Sequence, residues 1–216
     1  MSPIKKSSRE HQKKASIGRS GIGFSQTFVE KIGWKRGQHK VEISFILNAK
    51  CILVSKPTQS NDAFLVSYGN KRKLSGAKIN CLALVRNYLQ ALVTLPIKTI
   101  PVIINHKHWQ VALILDEINW ITEEFSKSGN DNLTKNLQGV YQLLGKNKTI
   151  LKIGEGLVKD RIRSYLSEPL RFSPQVKEFR YIYFEDKEDC ELMEKILLAQ
   201  FEAETGVLPH LNDIRA

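Results

Sequence analysis

The spacing of apolar residues changes several times along this chain, and each change predicts an element. Phe24, Phe28, Val29 and Ile32 recur at helical spacing, the one-face pattern of a short amphipathic helix. Gly33 follows where it can cap that helix, and Lys35-Arg36-Gly37 makes a turn. Val41, Ile43 and Phe45 alternate with Glu42 and Ser44, as in a half-buried strand. Asn48-Ala49-Lys50 turns, and residues 51–54 return as a second strand. The same order then recurs. A helix is predicted over 79–92, with Leu82, Val85, Leu89 and Leu92 on one face. Pro96 breaks the chain, 97–104 form an apolar strand, and 109–115 return. The copies align Phe28 with Val85, Val41-Ile43-Phe45 with Ile100-Val102-Ile104, and Ile52-Val54 with Val111-Leu113, an internal repeat of about 57–60 residues.

Polar residues without periodicity over 122–136 mark a domain boundary, with 123–136 as the linker. Beyond it, 139–143 and 149–153 read as strands joined by a Gly, Lys and Asn turn at 145–148. Gly154 and Gly156 are expected to end the sheet and admit a helix over 157–166, which carries Arg161 and Tyr165 on one face. A third strand follows at 179–184. A long amphipathic helix over 187–204 has Leu192, Ile196, Ala199 and Phe201 among its apolar positions, and carries Glu194.

Charge divides the chain in the same place. The net charge is +11, but residues 1–122 hold 19 Lys+Arg against 6 Asp+Glu, whereas 123–216 hold 14 against 16. A basic half beside a near-neutral half suggests that one part holds a polyanion and the other does chemistry. Residues 1–20 carry Lys5, Lys6, Arg9, Lys13, Lys14 and Arg19 with almost no apolar residues. They read as a flexible basic arm that either tracks phosphates or keeps the protein soluble. Arg19, Lys35, Arg36, Lys71, Arg72 and Lys73 are the candidate DNA contacts, most of them to phosphate. Three isolated cysteines, Cys51, Cys81 and Cys190, have no metal spacing and read as reduced, buried and intracellular. His106 and His108 have no third ligand in sequence and read as a hairpin turn. There is no apolar run of 18 residues and no secretion signal at the N-terminus, so a cytoplasmic location is expected, in a prokaryotic cell or a phage-infected host.

Two resemblances sharpen these expectations. Gly139-Val140-Tyr141 and Lys152-Ile153-Gly154, followed by Arg161, Tyr165, Glu194 and Asn212, resemble in order the motifs of the GIY-YIG nucleases. Lys152 stands where the second motif has tyrosine, and a restriction-enzyme branch of the family is similar. A basic residue often found just after that motif is Glu155 here. The stretch from Phe28 to Ile43 resembles the AbrB-type swapped-hairpin DNA-binding unit, with Gln38 in place of the usual acidic residue. The expected fold is α+β: a duplicated helix–β-hairpin, AbrB-like DNA-binding barrel over 21–122, then a GIY-YIG α/β domain over 137–216 with a small three-stranded antiparallel sheet.

The resemblance implies a catalytic set of Tyr141, Lys152, Arg161, Tyr165, Glu194 and Asn212. Tyr141 would hold or deprotonate the attacking water, helped by the charge of Lys152. Arg161 would grip the scissile phosphate and Tyr165 would donate to it. Glu194 would bind Mg²⁺, with Mn²⁺ as a possible substitute, and Asn212 would hold its loop against the site wall. The expected function is a sequence-specific, metal-dependent endonuclease of double-stranded DNA, a type II restriction enzyme, possible as a homodimer on a symmetric site. The alternatives are a mobile-element or repair endonuclease and a non-catalytic AbrB-like regulator.

Overall fold

The computed structural model describes residues 15–18, 21–34, 40–57, 63–68, 76–85, 87, 95–99, 101–105, 110–172 and 174–212. All six candidate DNA contacts, Arg19, Lys35, Arg36, Lys71, Arg72 and Lys73, lie outside those residues, as do His106 and His108. The described residues fall into two compact units, within 1–45 with 52–116, and within 46–51 with 117–216.

The first unit begins with strands β1 (Ala15–Gly18) and β2 (Gly21–Phe24) and helix α1 (Gln26–Ile32). Strands β3 (Lys40–Ile46), β4 (Cys51–Ser55), β5 (Phe64–Tyr68) and β6 (Ala77–Asn80) follow. A helical turn α2 (Leu82–Leu84) leads to β7 (Ile97–Thr99), β8 (Val102–Asn105) and β9 (Gln110–Ile114). They form one nine-stranded sheet in the order β7-β1-β2-β6-β5-β3-β4-β9-β8. Its two edge strands, β7 and β8, are separated by only two residues of chain, so the antiparallel sheet curls strongly into a half-barrel. The Thr99 hydroxyl donates to the Ile114 carbonyl at 2.6 Å beside that junction.

Several expectations hold here. Gly33 caps α1 in the left-handed conformation, φ 75°, and its N–H bonds the Glu30 carbonyl. Phe28, Val29 and Ile32 are buried, and the Phe24 ring stacks on Phe28 and meets Trp34 edge-on, with centroids 5.2 and 5.3 Å apart. Others are corrected. Residues 15–18 of the expected arm are strand β1, because buried Ala15 and Ile17 alternate with Ser16 and Gly18 and the strand pairs with both β2 and β7. The second helix does not begin at 79: Ile79 is buried in β6, opposite Ile22 of β2. Helix starts are marked by the Ser25 carbonyl, which accepts from the Val29 N–H, and by the Cys81 carbonyl, which accepts from the Val85 N–H. Val85 therefore corresponds to Val29, one position from the alignment that the sequence suggests.

In the second unit, strand β10 (Ile121–Glu124) and helix α3 (Lys127–Asp131) precede strands β11 (Gln138–Leu144) and β12 (Ile150–Leu157). Helices α4 (Val158–Leu166) and α5 (Pro169–Phe172), strand β13 (Glu178–Tyr183) and helix α6 (Lys187–Thr205) complete it. The sheet has four antiparallel strands, β10-β13-β11-β12, where three were expected. The fourth is β10, which pairs along β13 with Thr122 opposite Arg180. The expected linker 123–136 thus holds the end of β10 and helix α3, which starts where the Ser126 hydroxyl accepts from the Gly129 N–H at 3.1 Å.

Helix α6 runs close to its expected length and ends on Gly206 at φ 82°. Its buried residues are Cys190, Met193, Ile196 and Leu197, whereas Leu192, Ala199 and Phe201 are only partly covered. The buried face is therefore rotated from the one expected, because it is set by β11 and β12, on which the helix packs. All three cysteines are buried thiols, as expected. Among the described residues no helix is long and apolar enough to cross a membrane.

Candidate active site

The site is built on the β11–β12 hairpin. Gly139, Val140 and Tyr141 lie on β11, directly opposite Gly156, Glu155 and Gly154 of β12. Gly154 and Gly156 were expected to end the sheet, but both lie within β12. Their place in the ladder explains them. A Cβ on Gly154 would come within 2.6 Å of Cζ of the Tyr141 ring, so the tyrosine lies over its cross-strand neighbour only because that neighbour has no side chain. Gly139 is equally constrained: a Cβ there would meet the Ile182 carbonyl oxygen at 2.6 Å and the Val158 methyl at 2.8 Å.

Tyr141 is fully buried in a cluster with Val158, Ile162, Phe172 and Phe179. Its hydroxyl meets the Tyr165 hydroxyl of α4 at 2.6 Å. Tyr165 in turn packs on Phe172, with centroids 4.8 Å apart. Lys152 of β12 puts Nζ 5.9 Å from the Tyr165 ring centre and donates to the Leu211 carbonyl at 3.2 Å. The C-terminal loop is tied along the same edge strand. The Leu211 N–H donates to the Leu151 carbonyl at 2.8 Å. The Asn212 side chain accepts from the Ile153 N–H at 2.9 Å and donates to its carbonyl at 2.7 Å, as a paired strand residue would. Tyr141 and Tyr165 thus touch through their hydroxyls, Lys152 lies over the Tyr165 ring, and Asn212 is tied to the same strand through Ile153.

Arg161 and Glu194 join them electrostatically. Burial pushes the Tyr141 hydroxyl well above the usual phenol value, and the Tyr165 hydroxyl acts in the same direction, while Arg161 opposes and Glu194 reinforces. Burial also raises Tyr165, against the Tyr141 hydrogen bond and Arg161. Lys152 moves the other way: burial lowers it, with Arg171 and Arg161 helping and Glu194 opposing. Glu194 is raised first by burial and then by Glu155, against Lys152, Lys195 and Arg161. Lys152 and Glu155 lie at positions of opposite parity on β12, and Glu194 feels the charge of both. The expectation that Lys152 makes Tyr141 acidic is therefore corrected. Burial holds the phenol in its neutral form.

Beside this centre lies a cleft of about 440 Å³, lined by Gln138, Glu155, Gly156, Arg161, Ser164 and Lys187 among others. Gln138 donates to Glu155 across the hairpin at 3.1 Å. Arg161 is exposed and lines this cleft, whereas Tyr141 is buried and Tyr165 half-buried. Arg171 was not singled out in sequence. Its guanidinium lies 5.2 Å over the Phe172 ring and pairs with Glu168 at 3.2 Å, and its charge reaches both Lys152 and Tyr165. The only sequence signal was a basic residue in a short segment after Pro169, which looks like any solvated arginine.

Among the described residues no three His, Cys, Asp or Glu side chains gather around a common point. The donor chemistry still fits a hard divalent cation. Glu194 is half-buried and raised by a second carboxylate, Glu155, and a cation held by Glu194 would relieve both effects. An ion held by one carboxylate keeps most of its waters, which suits Mg²⁺. Comparison of the chain with family models, with curated proteins and with solved structures gave no match. The chemistry of the site therefore stands on its geometry.

Proposed function

We propose that the chain is a metal-dependent endonuclease of double-stranded DNA, a type II restriction enzyme with a GIY-YIG-like catalytic unit. The observation that carries this reading is the hydroxyl pair of Tyr141 and Tyr165 at 2.6 Å, with Lys152 beside it. These residues come from strands β11 and β12 and helix α4, and their proximity supports the reading. Tyr141 stays neutral and orients the attacking water through its hydroxyl. Lys152, lowered by burial and held by the Leu211 carbonyl, takes the proton from that water. Arg161 grips the scissile phosphate from the cleft wall through its planar fork. Tyr165 donates to the same phosphate once substrate displaces its bond to Tyr141. Glu194 would hold Mg²⁺, which when bound stabilises the charge that develops on the leaving 3′ oxygen.

The first unit is the part we assign to DNA. Its strand pairing supports an AbrB-like duplication. Two successive runs, β1-β2-α1-β3-β4 and β5-β6-α2-β7/β8-β9, share one order. They exchange strands: β2 pairs with β6, β1 with β7, and β5 with β3. Two such halves in one chain do internally what two interleaved hairpins do in a dimer. The strong excess of Lys and Arg over 1–122 suits a phosphate backbone.

The test is incubation of purified protein with plasmid and Mg²⁺. Discrete fragments that disappear in Tyr141→Phe and Glu194→Gln support the reading. DNA binding without cutting by the unaltered protein under any divalent metal would sink it.

A further inference from the structure

We infer that Gly156, which lies outside both tyrosine-glycine motifs, is a positioning residue that seats Arg161; this rests on the nuclease reading above. Gly156 has φ +134°, a conformation that side-chain-bearing residues rarely adopt. A Cβ built on it would meet Arg161 Nε at 2.8 Å, Cγ at 3.4 Å and Cζ at 3.6 Å. These three nearest atoms all belong to one side chain. The nearest occupant of the space above Gly156 is therefore the Arg161 side chain.

The two other glycines in the strands of the hairpin are different. Gly139 is pressed by the Ile182 carbonyl and Gly154 by the Tyr141 ring, so both serve packing. At Gly156 the neighbour is an exposed, flexible arginine one turn into α4. An arginine on an open helix face samples many rotamers, and fixing it costs side-chain entropy. Among the described residues no hydrogen bond or ion pair holds Arg161 in place. Its guanidinium instead lies against bare backbone at Gly156, and both residues line the same cleft. The close approach that the missing Cβ permits orients the fork toward a phosphate entering that cleft, before substrate arrives. Sequence placed Arg161 on a helix; it gave no reason to connect that residue with a glycine five positions earlier on the preceding strand.

The experiment compares wild type, Gly156→Ala, Arg161→Ala and the double variant. Two readouts are taken: single-turnover plasmid cleavage with Mg²⁺, and thermal melting of the metal-free full chain. Displacing the guanidinium by about an ångström should slow Gly156→Ala about 100-fold. The double variant should cut no more slowly than Arg161→Ala alone, since the seat has nothing left to position. In melting, Gly156→Ala should be destabilised by backbone strain and by the clash, and Arg161→Ala in that background should restore part of the loss. Rate effects that multiply, or a double variant that melts no higher than Gly156→Ala, would overturn the inference. If Gly156→Ala does not fold, Arg161→Lys takes its place: it keeps the charge but has no guanidinium to lie against Gly156, so it should cut about as slowly as Arg161→Ala, and wild-type cutting by it would overturn the inference. Wild-type cutting by Arg161→Ala would instead strike the nuclease reading, while the melting comparison still judges the seat.

Discussion

Gly154 lies directly opposite Tyr141 on the neighbouring strand, and the tyrosine ring fills the space that a Cβ at 154 would need. One glycine thus sets where the buried phenol lies, and the phenol sets where Tyr165 can meet it. Gly154→Ala must push the ring or bend the hairpin, an overpacking that costs about 1–3 kcal/mol. Urea unfolding should show a lower midpoint, and cleavage should be lost along with the 2.6 Å contact. An unchanged midpoint would mean that the ring has room that the geometry denies.

Tyr141→Phe and Tyr165→Phe each remove one hydroxyl from a packed ring. Their effect on stability should stay near the worth of one hydrogen bond, about 1 kcal/mol. Cleavage should fall by about two orders of magnitude or more in each, since each loses a group placed on water or phosphate. DNA affinity in a gel-shift assay should barely move. Equal cutting by both variants and wild type would remove the phenols from the mechanism.

Glu194 and Glu191 lie on one helix, but Glu191 pairs with Lys187 at 3.2 Å on the surface while Glu194 turns toward Lys152 and Glu155. Glu194→Gln keeps shape and removes the charge that would hold the ion, so cleavage should fall by several orders of magnitude with binding intact. Glu191→Gln should cut within about threefold of wild type, as expected for an exposed pair worth under about 1 kcal/mol. A metal titration of both variants, read by cleavage rate, separates the two roles.

Lys152 gives the pH dependence. Its value is lowered by burial, and the groups that act on it are Arg171 of α5, Arg161 of α4 and Glu194 of α6. A base works in its neutral form, so the single-turnover rate should rise with pH and level off before the usual lysine range is reached. The sign for stability agrees. A lysine lowered in the folded state disfavours folding while charged, and that cost begins to fall as pH rises past the lowered value and is gone at the usual lysine value. Lys152→Met should flatten the rising limb of the rate profile, as well as slowing the enzyme. A limb that persists unchanged would assign the base elsewhere.

Asn212 bonds both backbone groups of Ile153, and its loop carries the carbonyl that holds Lys152. Asn212→Ala leaves those edge groups to water or unpaired, at about 1–3 kcal/mol. The Lys152 ammonium should lose its tether too, so kcat should fall more than KM rises. Asn212→Asp can still accept from the Ile153 N–H but cannot donate to its carbonyl, and should be intermediate in melting temperature.

The sequence by itself determined the elements whose signals are local. Helix α1 with its Gly33 cap, the β11–β12 hairpin with its Gly-Lys-Asn turn, β13 and the span of α6 all follow from periodicity and turn chemistry within a dozen residues. The order of Tyr141, Lys152, Arg161, Tyr165, Glu194 and Asn212 was legible for the same reason, as residues at fixed offsets on those elements. Only the tertiary structure decided the rest. Strands β1, β6 and β10 have four residues each, too few for alternation to separate them from polar loop, and they exist because partners lie on both sides or along a buried edge. The buried face of α6 depended on the sheet beneath it. The state of Tyr141 depended on burial, which raises this phenol against the opposing charge of Arg161. Gly154 and Gly156 read as the end of a strand because glycine weakens strands when judged alone. They lie inside one because a ring and a guanidinium, brought from elsewhere in the fold, occupy the space that their missing side chains leave.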